Sequence, residues 1–107
     1  MMTKPLYFVG SALEDLRAFP RAQRREAGYQ LDRVQFGLEP SDWKPMNNVG
    51  RGVREIRIHH EGQFRVIYVA KFDDAVYVLH AFRKKTQKTR KQDIEIARRR
   101  FQEIRKN

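Results

Sequence analysis

Residues 53–83 read VREIRIHHEGQFRVIYVAKFDDAVYVLHAFR. The stretch is rich in Val, Ile, Tyr and Phe and is punctuated by Gly62 and by Asp73-Asp74. It predicts three antiparallel strands, over 53–59, 63–72 and 75–83. Facing residues in such a pair share one face of the sheet, and a slip of one residue turns every side chain over. If His60-Glu61-Gly62 is a three-residue loop with Gly62 left-handed, Arg57 faces Arg65, Ile58 faces Phe64 and Ile56 faces Val66. If Asp73-Asp74 is a two-residue turn, Arg65 faces Phe82, Ile67 faces His80 and Tyr68 faces Leu79. One face then collects Ile56, Ile58, Phe64, Val66, Tyr68 and Leu79, which is a core surface. The other collects Glu55, Arg57, Arg65, His80 and Phe82, with Ile67, Val69 and Val78. A two-residue first loop would set Arg65 opposite Ile58 and spoil both faces.

Outward from this sheet the periodicity changes. Residues 5–9 form a short apolar run that reads as a strand. Ser11 is placed to cap a helix, with Glu14 completing a capping box and Ala12, Leu13 and Leu16 on the apolar face. A second helix is predicted over 21–36, with Ala27, Leu31, Val34 and Leu38 near one stripe and Gly37 as its stop. Residues 38–52 hold Pro40, Pro45, Gly50 and Gly52 and read as a loop. Thr89 offers an N-cap with Gln92 at the capping-box position. Ile94, Ala97, Phe101 and Ile104 then line one side of a closing helix whose other faces carry Arg98, Arg99, Arg100, Arg105 and Lys106. The expected architecture is α+β, one domain over residues 1–107. It has an N-terminal helical hairpin packed on an antiparallel sheet, and a C-terminal helix.

Charge narrows the function classes. The chain carries 23 Lys and Arg against 13 Asp and Glu, a net of +10 over 107 residues. Residues 83–107 supply +8 of this, so the excess begins near Arg83. Such a field favours a polyanionic partner. With no cysteine, disulfides, thiol nucleophiles and cysteine-based zinc sites are excluded. The longest apolar runs, such as 75–81, fall far short of a membrane span, and Met1-Met2-Thr3-Lys4-Pro5 lacks the apolar segment of a signal peptide. A cytoplasmic protein with no membrane partner is the expectation. At 40% hydrophobic residues a folded core is expected rather than a disordered basic tail. No His pair has metal-ligand spacing and no carboxylate cluster suits two-metal chemistry, so no metal or cofactor is expected.

The polar face of the predicted sheet is a cradle for a phosphodiester. Arg57 and Arg65 can bind phosphate in bidentate fashion. The turn Arg83-Lys84-Lys85-Thr86-Gln87-Lys88 adds charge at the rim, and Phe82 can stack on an unpaired base. RNA brings its own nucleophile, the 2′-OH. Cleavage through it needs a proton acceptor, a proton donor and positive charge on the phosphorane. Glu55 and His80 are the candidate proton-transfer groups, and Arg54, Phe82, Arg83 and Lys88 the candidate RNA-binding residues. His59 and His60, beside the hairpin turn, read as surface residues.

Several stretches, taken in order, resemble one family. They are Lys44-Pro45-Met46 through Gly50 and Gly52; Val53-Arg54-Glu55-Ile56-Arg57; Phe64-Arg65-Val66-Ile67-Tyr68; and residues 78–89, running into Ile94, Ala97 and Arg98. Together the chain resembles the RelE/HigB-type toxins of bacterial type II toxin–antitoxin modules, most closely the phage-associated HigB-like branch. The resemblance implies a microbial RNase-like fold and metal-independent cleavage of mRNA in the ribosomal A site. It places Arg57, Arg65, Lys84 and Lys85 at catalytic positions and Glu55 at the branch's acidic position. It also implies a cognate antitoxin, a small helix-turn-helix repressor that covers the basic face. Two departures stand out. A tyrosine near the start of the last helix, used by some relatives, has no counterpart, Lys91 or Gln92 lying there, and this leaves the general acid or base unassigned; the proline that commonly follows the Lys-Thr pair is Arg90. A ParE-like gyrase inhibitor and a non-catalytic RNA-binding phage accessory protein are the alternatives.

Overall fold

The computed structural model describes residues 3–105; Met1, Met2, Lys106 and Asn107 lie outside them. The elements are β1 (Leu6–Phe8), α1 (Ala12–Arg17), α2 (Arg21–Gln35), β2 (Trp43–Pro45), β3 (Val53–His59), β4 (Gln63–Val69), β5 (Val76–Lys84) and α3 (Lys91–Arg105). The strands form one five-stranded sheet in the order β1-β5-β4-β3-β2. The fold is α+β as expected, but the sheet is mixed. β1 pairs with β5 in parallel, Leu6 opposite Val76 to Phe8 opposite Val78, and the long intervening chain supplies the crossover that a parallel pair needs.

The register of β3 against β4 follows the sequence argument, with Arg57 opposite Arg65, Ile58 opposite Phe64 and Ile56 opposite Val66. The His60-Glu61-Gly62 loop has positive φ at both Glu61 (47°) and Gly62 (127°), so the left-handed residue is Glu61 as well as the glycine. Arg65 meets Phe82 and Ile67 meets His80, as expected, but Tyr68 meets Val78. A β-bulge lies between, with Leu79 as the extra residue. The bulge turns Leu79 to the same side as His80, so Val78 takes the predicted place of Leu79 in the first core. The Leu79 carbonyl is satisfied from outside the sheet by Arg100 of α3, whose Nη1 donates to it at 2.8 Å.

Two apolar layers sandwich the sheet. The hairpin layer joins Ala12, Leu16, Phe19, Ala27, Leu31 and Val34 to Ile56, Ile58, Phe64, Val66, Tyr68 and Val78. The α3 layer joins Ala97 and Phe101 to Val9, Met46, Val49, Val53, Ile67, Val69 and Leu79. Burying each large aliphatic or aromatic side chain contributes roughly 1.5–3 kcal/mol. Leu38, expected on the α2 stripe, lies past the helix end and is exposed.

Neither predicted capping box forms. Ser11 Oγ donates to Asp15 and accepts from Arg100 instead of bonding the α1 backbone. Thr89 Oγ1 donates to Glu55, and the first turn of α3 closes on the Arg90 carbonyl. Tertiary partners outbid the local cap in both cases. The segment read as a loop contains β2, paired with β3 from Trp43 opposite Ile56 to Pro45 opposite Arg54. The arginines of α3 are not a uniformly solvated face. Arg98 bonds the Asn48 carbonyl and Arg100 the Leu79 carbonyl, while Arg99 is exposed.

Candidate functional site

Alternation along β2 to β5 puts three cross-strand rows on the α3 side of the sheet. Lys44, Glu55, Ile67 and His80 form one row; Arg57, Arg65 and Phe82 the next; His59, Gln63 and Lys84 the last. Beyond the part covered by α3, the face opens into a concavity of about 620 Å³. Arg57, His59, Gln63, Arg65, Lys84, Lys85, Thr86 and Gln87 line it, with no residue of α3 among them.

Glu55 lies under this concavity and is fully buried. Its Oε2 accepts from Thr89 Oγ1 at 3.1 Å, and its Oε1 lies 3.7 Å from Arg65 Nε and 3.8 Å from Lys44 Nζ. Arg65 is 3% exposed. Its Nη1 donates to the Phe64 carbonyl at 3.0 Å and its Nη2 to Gln63 Oε1 at 3.3 Å. The carbonyl and amide fix the guanidinium plane. Burial lowers the Arg65 pKa, Glu55 opposes that, and Arg57 lowers it further. Lys84 is also held below the ordinary lysine range, first by burial and then by the Arg65 charge. Glu55 thus pairs with Lys44 and Arg65, while Arg57 and Lys84 stand close by, a site with excess positive charge.

Four buried side-chain atoms among the described residues make no hydrogen bond within the protein: Glu55 Oε1, Arg57 Nε, Arg65 Nε and His80 Nδ1. Three belong to this cluster. Buried donors without hydrogen bonds are uncommon in folded chains; Arg65 Nε faces Glu55 Oε1, whereas Arg57, half-buried at the hollow, carries a guanidinium chemically suited to a phosphate.

The other expected site residues lie elsewhere. His80 is buried one row away, under α3. Its Nε2 is 2.8 Å from Asp93 Oδ1, its Nδ1 is 3.8 Å from Asp15, and its ring stacks on Phe82 at 5.1 Å between centroids. Phe82 is half-buried against the α3 layer. Arg54 and Arg83 point to the hairpin side. Arg54 lies over the Trp43 ring at 4.0 Å and 3.4 Å from Glu39, and Arg83 over the Phe64 ring at 5.4 Å. Lys88 is exposed in the turn after β5, where its carbonyl accepts from Thr86 Oγ1. The concavity therefore gathers Arg57, Arg65, Lys84 and Lys85 over Glu55, without His80, Arg54, Arg83 or Lys88.

Lys44, Asp42 and His59 were not singled out from sequence as site residues. Lys44 is signalled only by its position opposite Glu55, which requires the β2 pairing to be known. His59 reaches the concavity because it is in register with Gln63 and Lys84, and its Nε2 is 2.8 Å from Asp42 Oδ2. Among the described residues no three His, Asp or Glu side chains gather as a metal-holding group, and no helix is long and apolar enough to cross a membrane.

A family model described as phage-derived protein Gp49-like (DUF891) matches residues 14–102, from within α1 to near the end of α3. The chain belongs to the Gp49-like family. That family is a toxin-like phage module, related to the RNases of toxin–antitoxin systems. No curated protein matches the sequence. The matched span of this Gp49-like chain includes every residue of the cationic concavity and the carboxylate beneath it.

Proposed function

We propose that this Gp49-like protein is the toxin of a type II toxin–antitoxin module, of the RelE/HigB type, and acts as a metal-independent endoribonuclease on ribosome-bound mRNA. The observation that carries the reading is the convergence of Arg57, Arg65 and Lys84 on one open hollow above buried Glu55. Fixed cations where negative charge develops are the largest contribution such a site can make to phosphoryl chemistry. The 2′-oxygen of the RNA attacks the adjacent phosphorus, and the phosphorane charge falls on Arg57 and Arg65. Glu55 acts through Arg65 and Lys44, holding both in place, because a fully buried carboxylate does not reach the RNA. Lys84, with its lowered proton affinity, is suited to protonate the departing 5′-oxygen. Lys85 and Lys88 add charge towards ribosomal RNA phosphates. A helix-turn-helix antitoxin covering the hollow would block docking on the ribosome, and the site of action is the cytoplasm.

The test is purified protein with ribosomes and a reporter mRNA. Codon-aligned cuts are expected, leaving a 2′,3′-cyclic phosphate, and none where the scissile nucleotide is 2′-deoxy. Arg57→Ala with Lys84→Met should abolish them. Cuts that are absent from the wild type, or that persist unchanged in the double variant, overturn the reading.

A further inference from the structure

The mechanism above leaves the 2′-OH proton without an acceptor. Glu55 is sealed below the cations, and His80 is tied to Asp93 under α3. We infer that His59, oriented by Asp42, is the general base of this site; the inference rests on the nuclease reading above.

His59 stands at the end of β3, on the wall shared by two hollows. One is the cationic concavity. The other, about 590 Å³, lies between α2 and β3 and is lined by Arg25, Glu26, Gln30, Ser41, Arg57 and His60 among others. A polynucleotide that places one phosphate at Arg57 and Arg65 and runs on into the second hollow passes across His59. The charged groups on either side of it are Arg57, Arg65, Lys84 and Lys85 in the first hollow, and Arg25, Glu26 and His60 in the second.

The Asp42–His59 contact is built, not incidental. Gln30 of α2 is 4% exposed and clamps the preceding residue. Its Oε1 accepts from Ser41 N at 2.8 Å, its Nε2 donates to Ser41 Oγ at 3.0 Å, and Glu26 holds the same amide. The Asp42 carbonyl accepts from Arg57 N at 2.9 Å, which fastens Asp42 to the strand bearing the phosphate-binding arginine. A neutral imidazole that donates Nε2–H to the Asp42 carboxylate keeps its lone pair on Nδ1, the tautomer a base requires. The exposed pair itself contributes little stability, since both side chains are nearly half in solvent.

Nδ1 of His59 takes the 2′-OH proton as the O2′–P bond forms. The P–O5′ bond breaks, and the 5′-oxygen takes a proton from the Lys84 ammonium. The products are a 2′,3′-cyclic phosphate and a 5′-hydroxyl, and the two side chains exchange back with solvent.

Single-turnover cleavage of ribosome-bound reporter mRNA tests this, with His59→Gln, His59→Ala and Asp42→Asn beside the wild type and folding checked by circular dichroism. His59→Gln should slow the chemical step about 100-fold or more with half-saturation unchanged, in line with the usual contribution of acid–base groups. The acid limb of the wild-type pH–rate profile should vanish with it. His59→Ala should recover at least about tenfold on adding imidazole, as expected when a small base replaces the missing one. Asp42→Asn should lie between the two. If the wild type cleaves and the His59 variants cleave within about threefold of it, with the same pH profile and no imidazole rescue, the inference falls and the nuclease reading stands. If the wild type does not cleave, both fall.

Discussion

Replacing Glu55 with glutamine removes the carboxylate that Arg65 and Lys44 share, while keeping the shape of the side chain. At 3.7 and 3.8 Å the two ion pairs are each worth about 4 kcal/mol of attraction at an effective dielectric of about 20. Part of that is already offset by the desolvation of a carboxylate with no exposed surface. What remains after the change is a buried guanidinium facing Arg57 and Lys84 with only the weaker attraction of Asp42 to offset them. Removing one partner of a buried pair typically costs about 3–5 kcal/mol. In a domain of this size each kcal/mol lowers the melting temperature by about 4–8 °C, so Glu55→Gln should melt at least about 12 °C lower. Thermal and urea unfolding followed by circular dichroism measure this, with an unchanged urea slope showing that the compact state is otherwise kept. Added phosphate should recover more stability in the variant than in the wild type, because the uncompensated cations take an anion. A loss below about 1 kcal/mol, or equal recovery by phosphate in both proteins, would show that Glu55 is not what holds the arginine in place.

Other consequences are as direct. Lys84 carries a depressed pKa in the folded state, so the native protein should gain stability as pH rises from that lowered value towards the ordinary 10.5, the unfolded chain binding the extra proton there. Lys84→Met should lack that gain and be at least as stable as the wild type near neutrality; pH-dependent urea unfolding separates the two. A Cβ on Gly50 would clash with the ring of Phe101 at Cε2. Gly50→Ala must therefore displace a buried ring of the α3 layer and should cost about 1–3 kcal/mol in urea unfolding. His80→Phe keeps a ring against Phe82 but removes the partner of Asp93 Oδ1 at 2.8 Å. It should cost about 1–3 kcal/mol, the price of an unpaired buried acceptor.

The legible parts of the sequence are those set by local alternation. Ile56, Ile58 and Phe64 alternate with charged or polar neighbours, so the β3–β4 register has one solution that buries them together with Val66. Arg57 and Arg65 then meet as a matter of pleat. The bulge at Leu79 was not legible, because Val78 and Leu79 are equally apolar and either can face Tyr68. It is decided by Arg100, 21 residues away, which takes the freed carbonyl. The capping boxes at Ser11 and Thr89 were misread for the same reason. Their hydroxyls have better partners in Arg100 and Glu55, which only the assembled fold supplies. β2 has just three residues and includes a proline, so no periodicity marks it. Without β2 neither Lys44 nor Asp42 can be assigned to the site. Arg54 and Arg83 differ from Arg57 and Arg65 only in parity along their strands, and that parity sends them to the other face.

Burying Glu55 under the cations is what makes a phosphate site on a sheet this small consistent with a folded chain. Four cations on one face without a counter-charge would repel one another and favour unfolding. Four cations each paired at the surface would be neutralised and of little use to a substrate. A single carboxylate beneath them, bonded by Thr89 from the segment before α3, meets part of the charge from below and leaves the upper side positive. The bond to Thr89 also ties the end of the basic turn to the sheet, so the turn carrying Lys85 is held by the same residue that orders Arg65. Glu55 therefore sets both the stability of the site and its readiness for an anion. Glu55→Gln should lower stability and raise the affinity for a free anion, whereas Lys84→Met should keep stability and lower that affinity.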